Sequence, residues 1–78
     1  MQDLIEYIAR SLADDPTQVH VSQFRRGATI ELRLQVSKED MGRVIGRSGR
    51  VAGAIRTLLR VAAAQEGKRV TLDILEPE

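Results

Sequence analysis

Residues 44–50 read Val-Ile-Gly-Arg-Ser-Gly-Arg, and this short run constrains the fold more than any other. One helical pattern runs into Gly46-Arg47-Ser48-Gly49 and another runs out of it. The chain must therefore bend sharply between two helices. The bend has two residues without side-chain walls and two polar residues at its tip. A Gly-x-x-Gly string by itself arises by chance in many chains. Its weight here comes from the elements on either side.

Leu4, Ile5, Ile8, Ala9 and Leu12 recur at helical spacing, so an amphipathic helix is expected over 2–13. Asp14-Asp15-Pro16 stops it, because Pro16 has no N–H and biases Asp15 away from helical dihedrals. Val19 and Val21 alternate with His20 and Ser22, which predicts a strand near 18–25. Arg26-Gly27 marks a turn. Ala28, Ile30, Leu32, Leu34 and Val36 then alternate with polar residues in the cleanest strand of the chain, and the two strands form a hairpin. Ser37 is a natural N-cap for a short helix over 38–45, with Asp40 as an approximate capping-box partner. After the glycine bend a longer helix is expected over 50–65. Its Val51, Ala52, Ile55, Leu58, Leu59 and Ala62 share a core stripe. Gly67 closes this helix, Val70, Leu72 and Ile74 alternate in a last strand, and 76–78 is a tail.

The order is α-β-β-α-α-β, with strands apolar on one face only. That predicts an α+β domain over 1–78: a three-stranded mixed sheet with three helices on one face. The second and third strands are joined by a helix–bend–helix crossover, so they are expected to run parallel. At 78 residues and 42% apolar composition the chain folds around a single small core. With no cysteine it has neither disulfides nor thiolate metal sites, which fits a reducing compartment. No apolar stretch has the length of a membrane span, and the first residues lack the basic region of a secretory signal.

A net charge of +1 predicts no partner, but its distribution does. Residues 41–60 hold Arg43, Arg47, Arg50, Arg56 and Arg60 and no acid. The basic stretch is centred on the glycine bend, which favours a phosphate-facing patch over a plain solvated helix face.

The run Val44-Ile45-Gly46-Arg47-Ser48-Gly49 with Ile55 resembles the KH signature, an apolar pair before Gly-x-x-Gly and apolar residues after it. The element order resembles the type II KH arrangement. The size and the Ala13-Asp14-Asp15-Pro16 junction resemble the small stand-alone bacterial KH proteins of the KhpA type. Ala52 departs from the larger aliphatic that many KH domains carry there, a change that does not touch the bend. The resemblance implies single-stranded RNA binding in the cytoplasm, as a post-transcriptional regulator or RNA chaperone. It further implies self-association, a larger KH-containing partner protein, and a link to bacterial cell shape, growth and division. It implies no enzyme activity and no cofactor.

Three effects converge at the bend. Gly46 and Gly49 admit a close backbone approach, the helix that starts near Arg50 offers unpaired N–H groups to an anion, and Arg47 and Arg50 add full charges. The alternative for the glycines is an ordinary tight turn, and for Arg47 and Ser48 simple exposure. Arg43 lies in the same basic stretch. Val44, Ile45 and Val51 are either the aliphatic floor of a base groove or plain core, and Lys68 and Arg69 lie at its rim. Tyr7 and Phe24 are the only aromatics and neither lies near the bend, so affinity rests on charge rather than stacking. Ala54 and Val61 either extend an apolar surface for a dimer contact or are partly buried in the monomer. A protein-interaction module with the same fold is therefore the alternative function. His20, the one histidine, faces solvent, and no Cys/His cluster exists to hold a metal. No nucleophile–base set is present.

Overall fold

The computed structural model describes residues 1–75, and the tail expected at 76–78 lies outside them. Helix α1 spans Gln2–Leu12, strands β1 and β2 span His20–Arg26 and Thr29–Gln35, helices α2 and α3 span Met41–Ile45 and Arg50–Gln65, and strand β3 spans Arg69–Leu75. The sheet order is β1-β2-β3. β1 and β2 form an antiparallel hairpin, and β2 and β3 run parallel. This is the mixed sheet that the α2–bend–α3 crossover requires.

The core sits between the helices and one face of the sheet. Ile30, Leu32 and Leu34 of β2 are buried against Ile5 and Ala9 of α1, Val44 of α2, Ile55 and Leu59 of α3, and Leu72 of β3. Each of the larger aliphatic side chains contributes about 1.5–3 kcal/mol on burial, so the central strand anchors all three helices. The opposite face of the sheet is open. There Phe24 carries the Arg33 guanidinium 4.5 Å from its ring centroid, a cross-strand pair that shields an otherwise bare aromatic.

Three local details differ from expectation. Only Val21 of β1 is partly buried. Gln23 and Arg25 stand opposite Leu32 and Ile30, on the helix side, yet remain exposed because the helices do not reach over that edge. On α3 the buried stripe is Ala52, Ile55, Leu59 and Ala63, while Leu58 turns outward at 55% exposure and Ala54 is exposed with it. The segment 38–45 opens as a tight 3₁₀ turn, Lys38–Asp40, so the regular helix keeps only five residues. Gly67 closes α3 as expected. With φ 68° it lets Gly67 N–H reach the Ala64 carbonyl and Lys68 N–H the Ala63 carbonyl.

Candidate nucleic-acid interface

The bend between α2 and α3 is a turn of unusual backbone. Gly46 has φ 75° and ψ 174°, Ser48 has φ 57°, and Gly49 has φ 73°. The two glycines do different work. A Cβ on Gly46 would lie 2.8 Å from Val51 Cβ and 2.9 Å from Val51 N, so its missing side chain makes room for the start of α3. A Cβ on Gly49 would meet nothing within 4 Å, and only its left-handed dihedrals favour glycine. Ser48 adopts the left-handed region as a small polar residue. Arg47, Ser48 and Arg50 are exposed, and neither arginine has a carboxylate partner among the described residues. Arg50 opens α3, whose first N–H groups and positive dipole end meet the bend.

α2 is held from below by one buried carboxylate. Asp40 is 1% exposed, and among the described residues no buried polar side-chain atom lacks a partner. Its Oδ1 accepts the Asp14 N–H at 3.0 Å and its Oδ2 the Asp15 N–H at 3.1 Å. Ser37 Oγ donates to Oδ2 at 3.0 Å and in turn accepts the Asp40 N–H at 3.2 Å. The Ser37 cap is as expected, whereas the Asp40 carboxylate bonds the Ser37 hydroxyl and ties the α1–β1 connection to the foot of α2. Those backbone N–H groups, helped by Ser37 and Arg43, hold its carboxyl below the usual carboxylate range against the opposing effect of burial. Asp15 is also lowered, chiefly by the Thr17 hydroxyl and then the Gln18 amide.

Beyond the bend, α3 and β3 form a seam that leads away from it. Arg56 donates from Nε and Nη2 to the Leu72 carbonyl at 3.3 and 3.0 Å, bridging helix and strand. A small hollow of about 180 Å³ lies there, lined by Arg56, Leu59, Arg60 and β3 residues 70–72. It adjoins a larger one of about 510 Å³ toward the end of α3.

The family profile for the KhpA/KhpB KH domain matches residues 2–74. The chain belongs to that family. RNA-binding protein KhpA of Clostridium perfringens is 49% identical over 75 residues, covering 96% of this chain and 100% of the relative. The proteins of that name from Caldanaerobacter subterraneus and Listeria monocytogenes are 45% identical over 75 residues and 42% over 76, with 96% and 97% of this chain and 100% of each relative covered. All three relatives are named for RNA binding rather than for a reaction. The fold is the type II KH arrangement expected from the element order.

Within this KH domain the expected site residues divide into groups. Gly46, Arg47, Ser48, Gly49 and Arg50 are brought together at one exposed point, with Ile45 half-buried beneath them. Val44 leaves the set: at 0% exposure it lies wholly in the core and has no surface to offer a base. Arg43 is engaged elsewhere, 2.7 Å from Asp14 Oδ2 and 3.5 Å from Asp40 Oδ1. Lys68 and Arg69 stand far from the bend. They follow the end of α3, whose sixteen residues at a rise of about 1.5 Å each separate them from Gly49 by roughly 24 Å along its axis. Arg60 joins them there. Its i,i+4 spacing from Arg56 in the sequence was the signal that the seam carries charge along its length. No helix among the described residues is long and apolar enough to cross a membrane.

Proposed function

We propose that this KH domain binds single-stranded RNA by clamping the sugar–phosphate backbone on Gly46-Arg47-Ser48-Gly49. The observation that carries the reading is the bend itself. It is an exposed turn with three positive φ angles at the positive end of a sixteen-residue helix, flanked by two arginines without carboxylate partners. Backbone N–H groups and guanidinium forks then meet phosphate oxygens at one point. The relatives' names support RNA as the strand. No aromatic stands beside the bend, so binding is weak, broad in sequence and salt-sensitive. A module with so little chemistry of its own acts by occupying its RNA, which is the work of a post-transcriptional regulator or an RNA chaperone.

The test is the double substitution Arg47→Asp/Ser48→Asp. Aspartate is among the residues that tolerate the left-handed region, so position 48 keeps its backbone. Affinity for a short single-stranded RNA in a mobility-shift or anisotropy assay is expected to fall by at least roughly tenfold, the worth of a lost charged hydrogen bond. Unchanged affinity rejects the clamp.

A second reading, a protein-interaction module, is favoured by one observation. Leu58 and Val61 lie on the solvent side of α3 at 55% and 57% exposure, with Ala54 exposed one turn before. Such an apolar helix face fits the same face of a second copy, or of a larger KH-containing protein, crossing helix on helix. RNA binding that survives the double substitution while self-association persists would favour this reading.

A further inference from the structure

We propose that the hollow at the end of α3 remote from the glycine bend is a second phosphate site, which holds the same RNA strand beyond the nucleotides clamped by the bend. The proposal rests on the RNA-binding reading above. The hollow, of about 510 Å³, is walled by Arg60, Lys68 and Arg69 together with Thr29 and Thr71. No carboxylate lines it, and none of its three cations forms an ion pair among the described residues. Four other cations are engaged, while Arg25, Arg26 and Lys38, like Arg47 and Arg50 at the bend, stand without an ion pair among the described residues. Arg10, Arg33 and Arg43 lie beside carboxylates, and Arg56 is spent on a backbone carbonyl. Three like charges gathered around one concavity repel each other until an anion enters it.

The wall is also built rather than loose. Lys68 N–H is bonded to the Ala63 carbonyl across the left-handed Gly67, and Arg69 N–H to the Ala28 carbonyl. Both cations therefore start from a fixed backbone. Thr29 and Thr71 complete the wall without adding a charge of opposite sign.

Continuity and length point to the same strand rather than to a separate small anion. The hollow shares Arg60, Val70 and Thr71 with the smaller one that begins at Arg56, so the two form one concave run along the half of the α3–β3 seam remote from the bend. Arg50 and Ala63 are thirteen residues apart on α3, which at about 1.5 Å each is roughly 20 Å. A stacked strand advances about 3.4 Å per nucleotide, so roughly six nucleotides cover that distance, and an extended strand fewer. The Gly-x-x-Gly clamp accounts for about four. A stacked strand thus reaches the basic hollow about two nucleotides beyond the clamp's own footprint, and a more extended strand sooner.

The experiment is a length series of oligouridylates, from four to eight nucleotides, measured by anisotropy against the wild-type chain and the variant Arg60→Gln/Lys68→Gln. Arg69→Gln, which alters one exposed side chain, serves as an independent second variant. For wild type, affinity is expected to climb between four and about seven nucleotides. The double variant is expected to bind the four-mer as wild type does and the eight-mer roughly tenfold more weakly. Its log–log salt slope on the eight-mer shrinks by about 0.7 for each phosphate that is no longer neutralised. An eight-mer bound equally by variant and wild type overturns the proposal. So does an equal loss for both lengths, or a hollow that takes up an acidic peptide and not the longer RNA. Failure of wild type to bind any length overturns the clamp as well, and the Arg47→Asp/Ser48→Asp comparison separates that outcome from failure of the hollow alone.

Discussion

Replacing Gly46 by alanine places a methyl group where the start of α3 already stands. Gly46 has φ 75° and ψ 174°, a region that is essentially restricted to glycine and costs about 1–3 kcal/mol for other residues. The new Cβ would lie 2.9 Å from Val51 N, a backbone atom that cannot rotate away, and the overpacking adds about 1–3 kcal/mol. Reduced freedom of the unfolded chain returns about 0.4–1 kcal/mol. The net loss of about 1–6 kcal/mol compares with the roughly 3–5 kcal/mol that holds a domain of this size together. Gly46→Ala is therefore expected to lose most of its stability and to unfold at far lower urea than the wild type. Gly49→Ala is the matched control. Its φ of 73° costs about 1–2 kcal/mol, nothing lies within 4 Å, and the reduced freedom of the unfolded chain offsets about half. Urea titrations followed by far-UV circular dichroism measure both, since the chain has no tryptophan. Val51→Ala combined with Gly46→Ala recovers only part of the loss, because it removes methyl groups and leaves the backbone nitrogen. Stabilities of the two alanine variants within about 0.5 kcal/mol of each other would refute the steric argument. The practical corollary is that RNA binding is best probed at the exposed Arg47 and Ser48, with a residue at 48 that accepts its left-handed backbone.

Two further outcomes follow from the same geometry. If Arg47, Arg50 and the α3 N-terminus together neutralise about three phosphates, the log–log dependence of affinity on salt has a slope near −2 on a four-nucleotide RNA, and a measured slope near zero contradicts the clamp. The Asp40 carboxyl, lowered first by the Asp14 and Asp15 N–H groups, contributes stability that is complete above the ordinary aspartate value of about 4 and is lost as pH falls through its lower folded value. Asp15 acts with the same sign. Asp40→Asn is expected to be less stable at pH 7 and to lose less on acidification to pH 3, and parallel curves for the two proteins would show that Asp40 titrates as an ordinary carboxyl.

Much of the fold was legible because it is written in local periods. The alternation of Ile30, Leu32 and Leu34, the stripe through Ala52, Ile55 and Leu59, the Ser37 cap and the Gly67 stop each need only a few neighbouring residues to be read. The bend was legible for the same reason. What escaped was set across long stretches of chain. Asp40 pairs with backbone 25 and 26 residues away, Arg43 with Asp14 at a separation of 29, and Arg56 with a strand carbonyl 16 residues on. Any exposed arginine looks available until its partner is placed. Val44 and Ile45 are adjacent and equally apolar, and only the direction of α2 decides that one is core and the other reaches the surface. The wet inner side of β1 was likewise invisible, because its cause is the limited reach of the helices, a property of the whole layer.

The parallel pairing of β2 with β3 has a consequence for when the molecule becomes competent during synthesis. A nascent chain that has emerged only as far as Gln65 already holds every residue of the bend and both helices that flank it. It lacks the strand that closes the crossover against β2, the Leu72 carbonyl that Arg56 grips, and the cations at 68 and 69. The hollow beside Arg60 therefore exists only once β3 has paired with β2, whereas the bend is complete in sequence before that strand is made.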